Sequence, residues 1–212
     1  MTRIAILVSG FGSNQQAILD AVEAGRLPGL EVAVVVSNRK NAGGIDRAIR
    51  HGVPVVYFPL ALYARAGRPR AAYDARLARI LQAFDTQWVI MAGWMHVLGA
   101  AFLDQFPARV VNLHPALPGA FPGTHAIQRA YDACRRGEIE HTGVMVHLVT
   151  DPAVDAGPVV AQQVVPIHAA DTLDDLETRM HAVEHELLVA ALHGLLCGKT
   201  DPLPPGVFAP LR

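Results

Sequence analysis

The segment Val110-Val111-Asn112-Leu113-His114-Pro115 ends an apolar run with two polar side chains two residues apart. In an extended chain such residues point the same way, so Asn112 and His114 face one reacting atom while Leu113 faces a core. Pro115 keeps His114 extended. An amide beside an imidazolium makes a donor pair suited to an oxyanion developing on a carbonyl or formyl carbon. The same residues equally suit a plain role, in which they satisfy backbone groups of the following loop. Asp155 stands far downstream in Val154-Asp155-Ala156-Gly157-Pro158. If its carboxylate reaches His114, it favours the imidazolium, raises its pKa and makes a general acid near neutrality. If it does not, Asp155 is an ordinary turn residue.

A second stretch, Ser9-Gly10-Phe11-Gly12-Ser13-Asn14, follows an apolar run and opens a helical pattern. Free backbone N–H groups and the positive end of the helix dipole there can hold a phosphate, with Ser13 and Asn14 as side-chain donors and also as N-cap residues. A tight turn without ligand is the alternative. A dinucleotide fingerprint would place its third glycine at position 15, where Gln15 stands, so a monophosphate fits better. The second strand ends in Ser37-Asn38-Arg39-Lys40, and Arg39 keeps an NADP-dependent oxidoreductase open as a reading. A third pattern, His181-Ala182-Val183-Glu184-His185, matches the H-x-x-E-H pattern of a class of zinc peptidases, with two histidines one helical turn apart. Nothing upstream requires a metal and no third ligand stands out, so the reading adopted is that no metal is bound.

The elements that position these residues are short aliphatic runs alternating with helical periods, the pattern of a parallel α/β sheet. Strands are expected at Arg3 to Val8, Leu30 to Val36, Val53 to Tyr57, Trp88 to Ala92 and Arg109 to Leu113. Two further extended runs, Gly143 to Val149 and Pro158 to Ile167, form an antiparallel pair added to that sheet. Helices are expected from Ser13 to about Gly25, Asn41 to His51, Arg70 to Phe84, Leu98 to Phe106, Thr124 to Arg136 and Asp171-Thr172 to Cys197. The stretch His114 to Gly123 holds three prolines and two glycines and is a loop. A Pro-rich tail ends the chain.

Hydrophobic residues make up 51% of the 212 residues and charged ones 17%, which excludes a disordered chain or a coiled coil. A formal net charge of −1 gives no global field toward nucleic acid or an anionic membrane. The two cysteines, Cys134 and Cys197, lack C-x-x-C spacing and suit a reducing compartment. The first apolar run is too short for a membrane span, so the expectation is a cytoplasmic protein acting on small molecules, without nucleic-acid or membrane partners, as monomer or homodimer.

Taken in order, Ser9 to Gln15, Asn112-Leu113-His114-Pro115, Phe121-Pro122-Gly123 and Val154 to Pro158 resemble the phosphoribosylglycinamide formyltransferases, a branch of the 10-formyltetrahydrofolate-using formyltransferases. The resemblance covers nearly the whole chain. It implies one Rossmann-like formyltransferase domain over 1–212, a mostly parallel twisted sheet flanked by helices. Within it lie a phosphate-binding half (1–100), a catalytic half (101–198) and a C-terminal tail (199–212). It further implies that Gly12, Ser13, Asn14 and Glu184 bind glycinamide ribonucleotide and that Asn112, His114 and Asp155 carry formyl transfer. By the same resemblance Arg70, Met95, His96, Val97, Leu98, Asn112, Val149 and Asp151 bind the folate, and 10-formyltetrahydrofolate is the co-substrate. A formyltetrahydrofolate hydrolase or a nucleotide-sugar N-formyltransferase would use the same Asn, His and Asp. Three positions depart from the family pattern: His96 stands where relatives often carry Arg, His181 where they carry Gln, and the loop reads His-Pro-Ala-Leu-Pro-Gly.

Overall fold

The computed structural model describes residues 1–197 and the two-residue strand at 207–208. Strands β1 (Thr2–Val8), β2 (Leu30–Ser37), β3 (Val55–Tyr57), β4 (Trp88–Met91), β5 (Val110–His114), β6 (His141–Leu148), β7 (Val159–Pro166) and β8 (Val207–Phe208) form one sheet in the order β3-β2-β1-β4-β5-β6-β7-β8. From β3 to β5 every pairing is parallel, and β6, β7 and β8 join antiparallel. The chain leaves β1 toward β2 on one side and later returns through β4 on the other, so the order reverses between β1 and β4. The carboxyl ends of these strands are where open α/β sheets bind ligands.

Helices α1 (Ser13–Glu23), α2 (Gly43–Arg50), α3 (Leu60–Arg65), α4 (Arg70–Gln82), α5 (Ala100–Leu103), α6 (Ala126–Arg135) and α7 (Leu173–Leu196) make the crossovers and cover the sheet. Alternation along β1 divides the core. Ile4, Ile6 and Val8 pack with Ile18 and Leu19 of α1 and with Met180, Leu187 and Leu188 of α7. Ala5 and Leu7 pack on the other face with Tyr73, Leu77 and Leu81 of α4 and Phe102 of α5. The register of β1 against β2 slips between Ile4 and Ala5, so Val32 and Val35 share the α1 face although they are three residues apart. One extra residue in a strand has that effect, because side chains alternate strictly elsewhere.

Several boundaries differ from the sequence reading for physical reasons. The cap of α1 is Gly12, in the left-handed region at φ 81°, and no side chain caps the helix; Ser13 and Asn14 are its first helical residues rather than its caps. Helix α3 went unseen because its six residues are too few for a repeated apolar stripe; none is fully buried, and only Leu60 and Tyr63 pack part-buried on the core. The helix expected over Leu98 to Phe106 shrinks to Ala100–Leu103, capped by Gly99. The expected tail lies mostly outside the described residues, but Val207 and Phe208 pair with Gln163 and Gln162 of β7 as an eighth strand. The start of α7 follows expectation: Thr172 and Asp175 form a reciprocal capping box.

Candidate active site

Strand β5 directs Asn112 and His114 to one side, while Val111 and Leu113 enter the core on the other. The connection from β6 to β7 then folds back so that Asp155, in the left-handed region at φ 52°, meets both. Asp tolerates that conformation better than most residues, and it turns the carboxylate inward. Asp155 Oδ2 lies 3.2 Å from His114 Nδ1 and accepts from the Gly123 N–H at 2.9 Å. Its other oxygen, Oδ1, accepts from Asn112 Nδ2 at 3.1 Å.

A fourth member was missed at the sequence level. Antiparallel pairing sets His147 of β6 opposite Asn112. Its Nε2 lies 3.1 Å from Asn112 Nδ2 and 3.7 Å from Asp155 Oδ1. Its Nδ1 lies 3.1 Å from the Leu148 carbonyl, which only accepts, so Nδ1 carries the ring proton and Nε2 accepts from the Asn112 amide. The one available signal was the position of His147 on a strand next to β5, but the register that places it opposite Asn112 is a tertiary fact.

Both Asn112 N–H groups are therefore spent within the cluster, where an open donor toward a reacting oxygen was expected. The far nitrogen of His114 is also occupied, since Nε2 lies 3.1 Å from the Phe121 carbonyl. The loop after β5 closes over the cluster, with Arg129 Nη1 donating to the Pro122 carbonyl at 2.7 Å.

The electrostatics correct one expectation. Burial is the largest influence on His114 and holds its pKa below the ordinary imidazole value, although Asp155 and the Phe121 carbonyl pull the other way. The predicted rise toward a neutral-pH acid thus fails because His114, at 4% exposure, loses more hydration than one carboxylate restores. For Asp155, burial raises the pKa, but the Gly123 N–H and the neighbouring His147 and His114 imidazoles outweigh it, and the net shift is downward. The carboxylate is ionised at neutral pH.

At the other end of the sheet's switch point, the turn after β1 is held from three sides. Ser9 N–H donates to the Gly93 carbonyl at 3.0 Å, and Ser9 Oγ accepts from the Met95 N–H at 2.9 Å. A Cβ on Gly12 would sit 2.8 Å from Gly44 Cα, so the turn rests directly on the α2 backbone. Gln15, where a third glycine was looked for, is fully buried and donates to the Gly44 carbonyl at 2.8 Å. Asn14 Nδ2 donates to Glu184 Oε2 at 2.7 Å, which brings two residues assigned to one ligand together across α1 and α7. Glu184 is buried, and burial pushes its pKa up despite the Asn14 hydrogen bond and the nearby His181.

The residues assigned to folate are less uniform. Met95 and Val97 are exposed after β4, and His96 sits edge-on to Trp94 and Tyr73. Burial, then the charges of Arg70 and Arg39, hold His96 below its ordinary pKa. Arg70 pairs with Asp74 at 2.9 Å and donates to the Val97 carbonyl. Leu98 is 1% exposed and its side chain packs in the core. Val149 N–H donates to the Val110 carbonyl at 2.8 Å, and the exposed Asp151 accepts from Ala153 N–H at 2.7 Å within its own turn. A cleft of about 380 Å³ opens at Asp155, lined by Pro118, Ala120, Met145, Val154 and Val159 among others, and the segment 95–98 has no part in it.

His181, Glu184 and His185 do not converge as a metal site would. Glu184 turns toward α1 and His181 is exposed; among the described residues, the group of three whose ligating atoms lie within 4.8 Å is Asp20, Glu23 and His51. Also among the described residues, no helix is long and apolar enough to cross a membrane.

A parallel sheet with a glycine turn after its first strand and a carboxylate–imidazole–amide cluster on β5 defines an α/β enzyme of the group-transfer kind. Residues 2–192 match the formyl transferase family, and the chain belongs to that family. It is 45% identical over 201 residues to phosphoribosylglycinamide formyltransferase of Schizosaccharomyces pombe, covering 91% of this chain and 96% of that protein. The crystal structure of glycinamide ribonucleotide transformylase 1 from Symbiobacterium toebii superimposes with a TM-score of 0.86 at 39% identity, covering 99% of this chain and 94% of that one. Its counterpart from Geobacillus kaustophilus gives 0.84 at 41% identity, covering 92% and 99%.

Proposed function

We propose that this formyltransferase moves the formyl group of 10-formyltetrahydrofolate to the amine of 5-phosphoribosylglycinamide, a step of purine biosynthesis. Formyl-folate is the co-substrate the family implies, and the acceptor is that of the named relatives. The observation that carries the reading is the cluster of Asn112, His114, His147 and ionised Asp155 around one point at the end of β5.

In the proposed reaction the acceptor amine attacks the formyl carbon, a C–N bond forms, and the formyl oxygen becomes an oxyanion. His114 Nε2 leaves the Phe121 carbonyl and donates to that oxygen, and the Asn112 amide shifts one N–H from the cluster to do the same. His114 starts neutral; Asp155, the nearest anion, takes the proton released by the amine and relays it to His114, whose imidazolium the carboxylate then stabilises as charge builds on the oxygen. Collapse of the oxyanion breaks the folate C–N10 bond, and His114 passes the proton that came from the amine to N10, which completes the transfer without a metal. Gly12, Ser13 and Asn14 hold the ribonucleotide phosphate at the head of α1, and Glu184 contacts the same ligand. Arg70, His96 and the exposed Met95 and Val97 contact the folate on the far side of β5 from Val149 and Asp151, with Leu98 contributing backbone only. The chain works as one domain in the cytoplasm, as monomer or homodimer.

The test is spectrophotometric release of deformylated folate with and without glycinamide ribonucleotide, on metal-free protein. Release that depends on the ribonucleotide supports the transferase. Release without it points to a hydrolase, and release dependent only on an amino sugar nucleotide points to another acceptor.

A further inference from the structure

The phosphate turn has a support that its own sequence does not announce. Gly43 and Gly44 open α2 directly beneath it: a Cβ at Gly43 would lie 2.9 Å from the Phe11 carbonyl oxygen, and one at Gly44 2.4 Å from Gln15 Oε1. This contact brings the first turn of α2 against the loop, and Arg47, three residues after Gly44, lies on the same helix face. Its side chain returns to the turn by three routes. Nε donates to the Phe11 carbonyl at 3.0 Å, Nη1 donates to Gln16 Oε1 at 3.0 Å, and the guanidinium lies over the Phe11 ring at 4.4 Å.

Phe11 itself is 73% exposed, so its ring has no core to hold it. The guanidinium is its packing partner. One planar cation therefore fixes the carbonyl and the ring of the residue before Gly12, and also the second turn of α1. Gly12 must hold φ 81° for the amides of Ser13 and Asn14 to converge on an anion, and α1 carries no acidic residue in its first turn. A lysine could supply the charge but not the fork and the flat face. The charge is felt across the site: His185 on α7 is held below its ordinary pKa first by burial, and further by His181 and Arg47.

We infer that Arg47 is a positioning residue for the substrate phosphate, clamping Phe11 so that the Gly12–Asn14 amides stay convergent and adding a positive charge beside them. This rests on the reading of that turn as the phosphate site. It specifies what makes the turn selective for a phosphorylated acceptor: a cation from α2, outside the glycine motif.

The experiment compares Arg47→Ala, Arg47→Lys and Ser13→Ala in steady-state formyl transfer, with glycinamide ribonucleotide and with its dephosphorylated riboside as acceptors. Arg47→Ala is expected to raise KM for the ribonucleotide about tenfold, the scale of one charge-assisted contact. The folate KM, kcat and the riboside rate stay as in the parent. Arg47→Lys recovers only a minor part of the loss, because the fork is absent. If Ser13→Ala raises the ribonucleotide KM and Arg47→Ala does not, the inference falls while the phosphate site stands. If neither variant changes it, the phosphate reading falls and the inference with it. A loss in Arg47→Ala that is equal for ribonucleotide and riboside, with a lowered Tm, shows a merely structural arginine and also overturns the inference.

Discussion

The two ends of the site are built on opposite plans. The phosphate turn is one continuous stretch whose ligand groups are backbone amides together with the Ser13 hydroxyl, held by close glycine contacts with α2 and by Arg47. The catalytic cluster joins side chains from β5, β6 and the β6–β7 connection, with a cap from the loop after β5. In the turn the backbone amides point outward at the head of α1, and of the side chains assigned to the ligand only Asn14 and Glu184 are engaged, with each other. In the cluster every donor has a partner: Asn112 spends both N–H groups on Asp155 and His147, and His114 Nε2 meets the Phe121 carbonyl. Binding the phosphate therefore needs little rearrangement, whereas chemistry needs the cluster to exchange internal hydrogen bonds for ones to substrate. Mutations in the two regions should divide cleanly between KM and kcat.

The largest break is expected in the cluster. His114→Ala lowers kcat by about a hundredfold or more, the usual scale for losing an oxyanion donor or acid–base group. A stopped-flow or steady-state folate-release assay reads it, and a near-parent rate would remove His114 from the chemistry. Next comes His147→Ala, which frees the Asn112 amide from its cross-strand partner. We expect kcat to fall about tenfold with the ribonucleotide KM unchanged, because an amide that loses its orientation still donates. Gly12→Ala acts at the other end. Its Cβ would meet Gly44 Cα at 2.8 Å on a left-handed backbone, so the ribonucleotide KM rises while kcat stays close to the parent's. The same strain costs about 1–2 kcal/mol of stability, measurable by urea unfolding.

The smallest expected effect is in pH. His114 has a folded pKa below its unfolded one, so folding excludes a proton that the unfolded chain would bind. Its contribution is present above the ordinary imidazole pKa and is lost as pH falls through the lower folded value. The urea midpoint of the parent should therefore drop more between pH 7 and the mid-acid range than that of His114→Gln. Equal drops would mean that burial does not shift this imidazole.

How much could be read from the chain divides along the same line. The turn, the β5 corner and the alternating α/β order are local patterns, and the parallel sheet and the added antiparallel strands follow them; the residues alone leave the meeting of His114 with Asp155 open, and only the family resemblance implies it. What escaped depends on tertiary placement. The role of His147 depends on register, and the cap of α1 falls on Gly12 because the turn rests on Gly44. Helix α3 is too short to show a periodic stripe, and only Leu60 and Tyr63 pack part-buried on the core. Burial reversed the sign expected for His114, since a sequence shows the carboxylate but not the lost hydration. Leu98, which the resemblance places at the folate, packs its side chain in the core on the α4 side of the sheet, a burial the sequence does not announce. Within the H-x-x-E-H pattern, the pairing of Glu184 with Asn14 on α1 is likewise a tertiary contact.

The division itself is tested most directly by single-turnover formyl transfer at saturating ribonucleotide, with Asp155→Asn and Gly12→Ala measured side by side. The account predicts a transfer rate about a hundredfold lower in Asp155→Asn, which keeps the shape but loses the charge beside His114, and a parent-like rate in Gly12→Ala. Comparable rates in the two variants would contradict it, because chemistry and phosphate binding would then not be housed in separate regions.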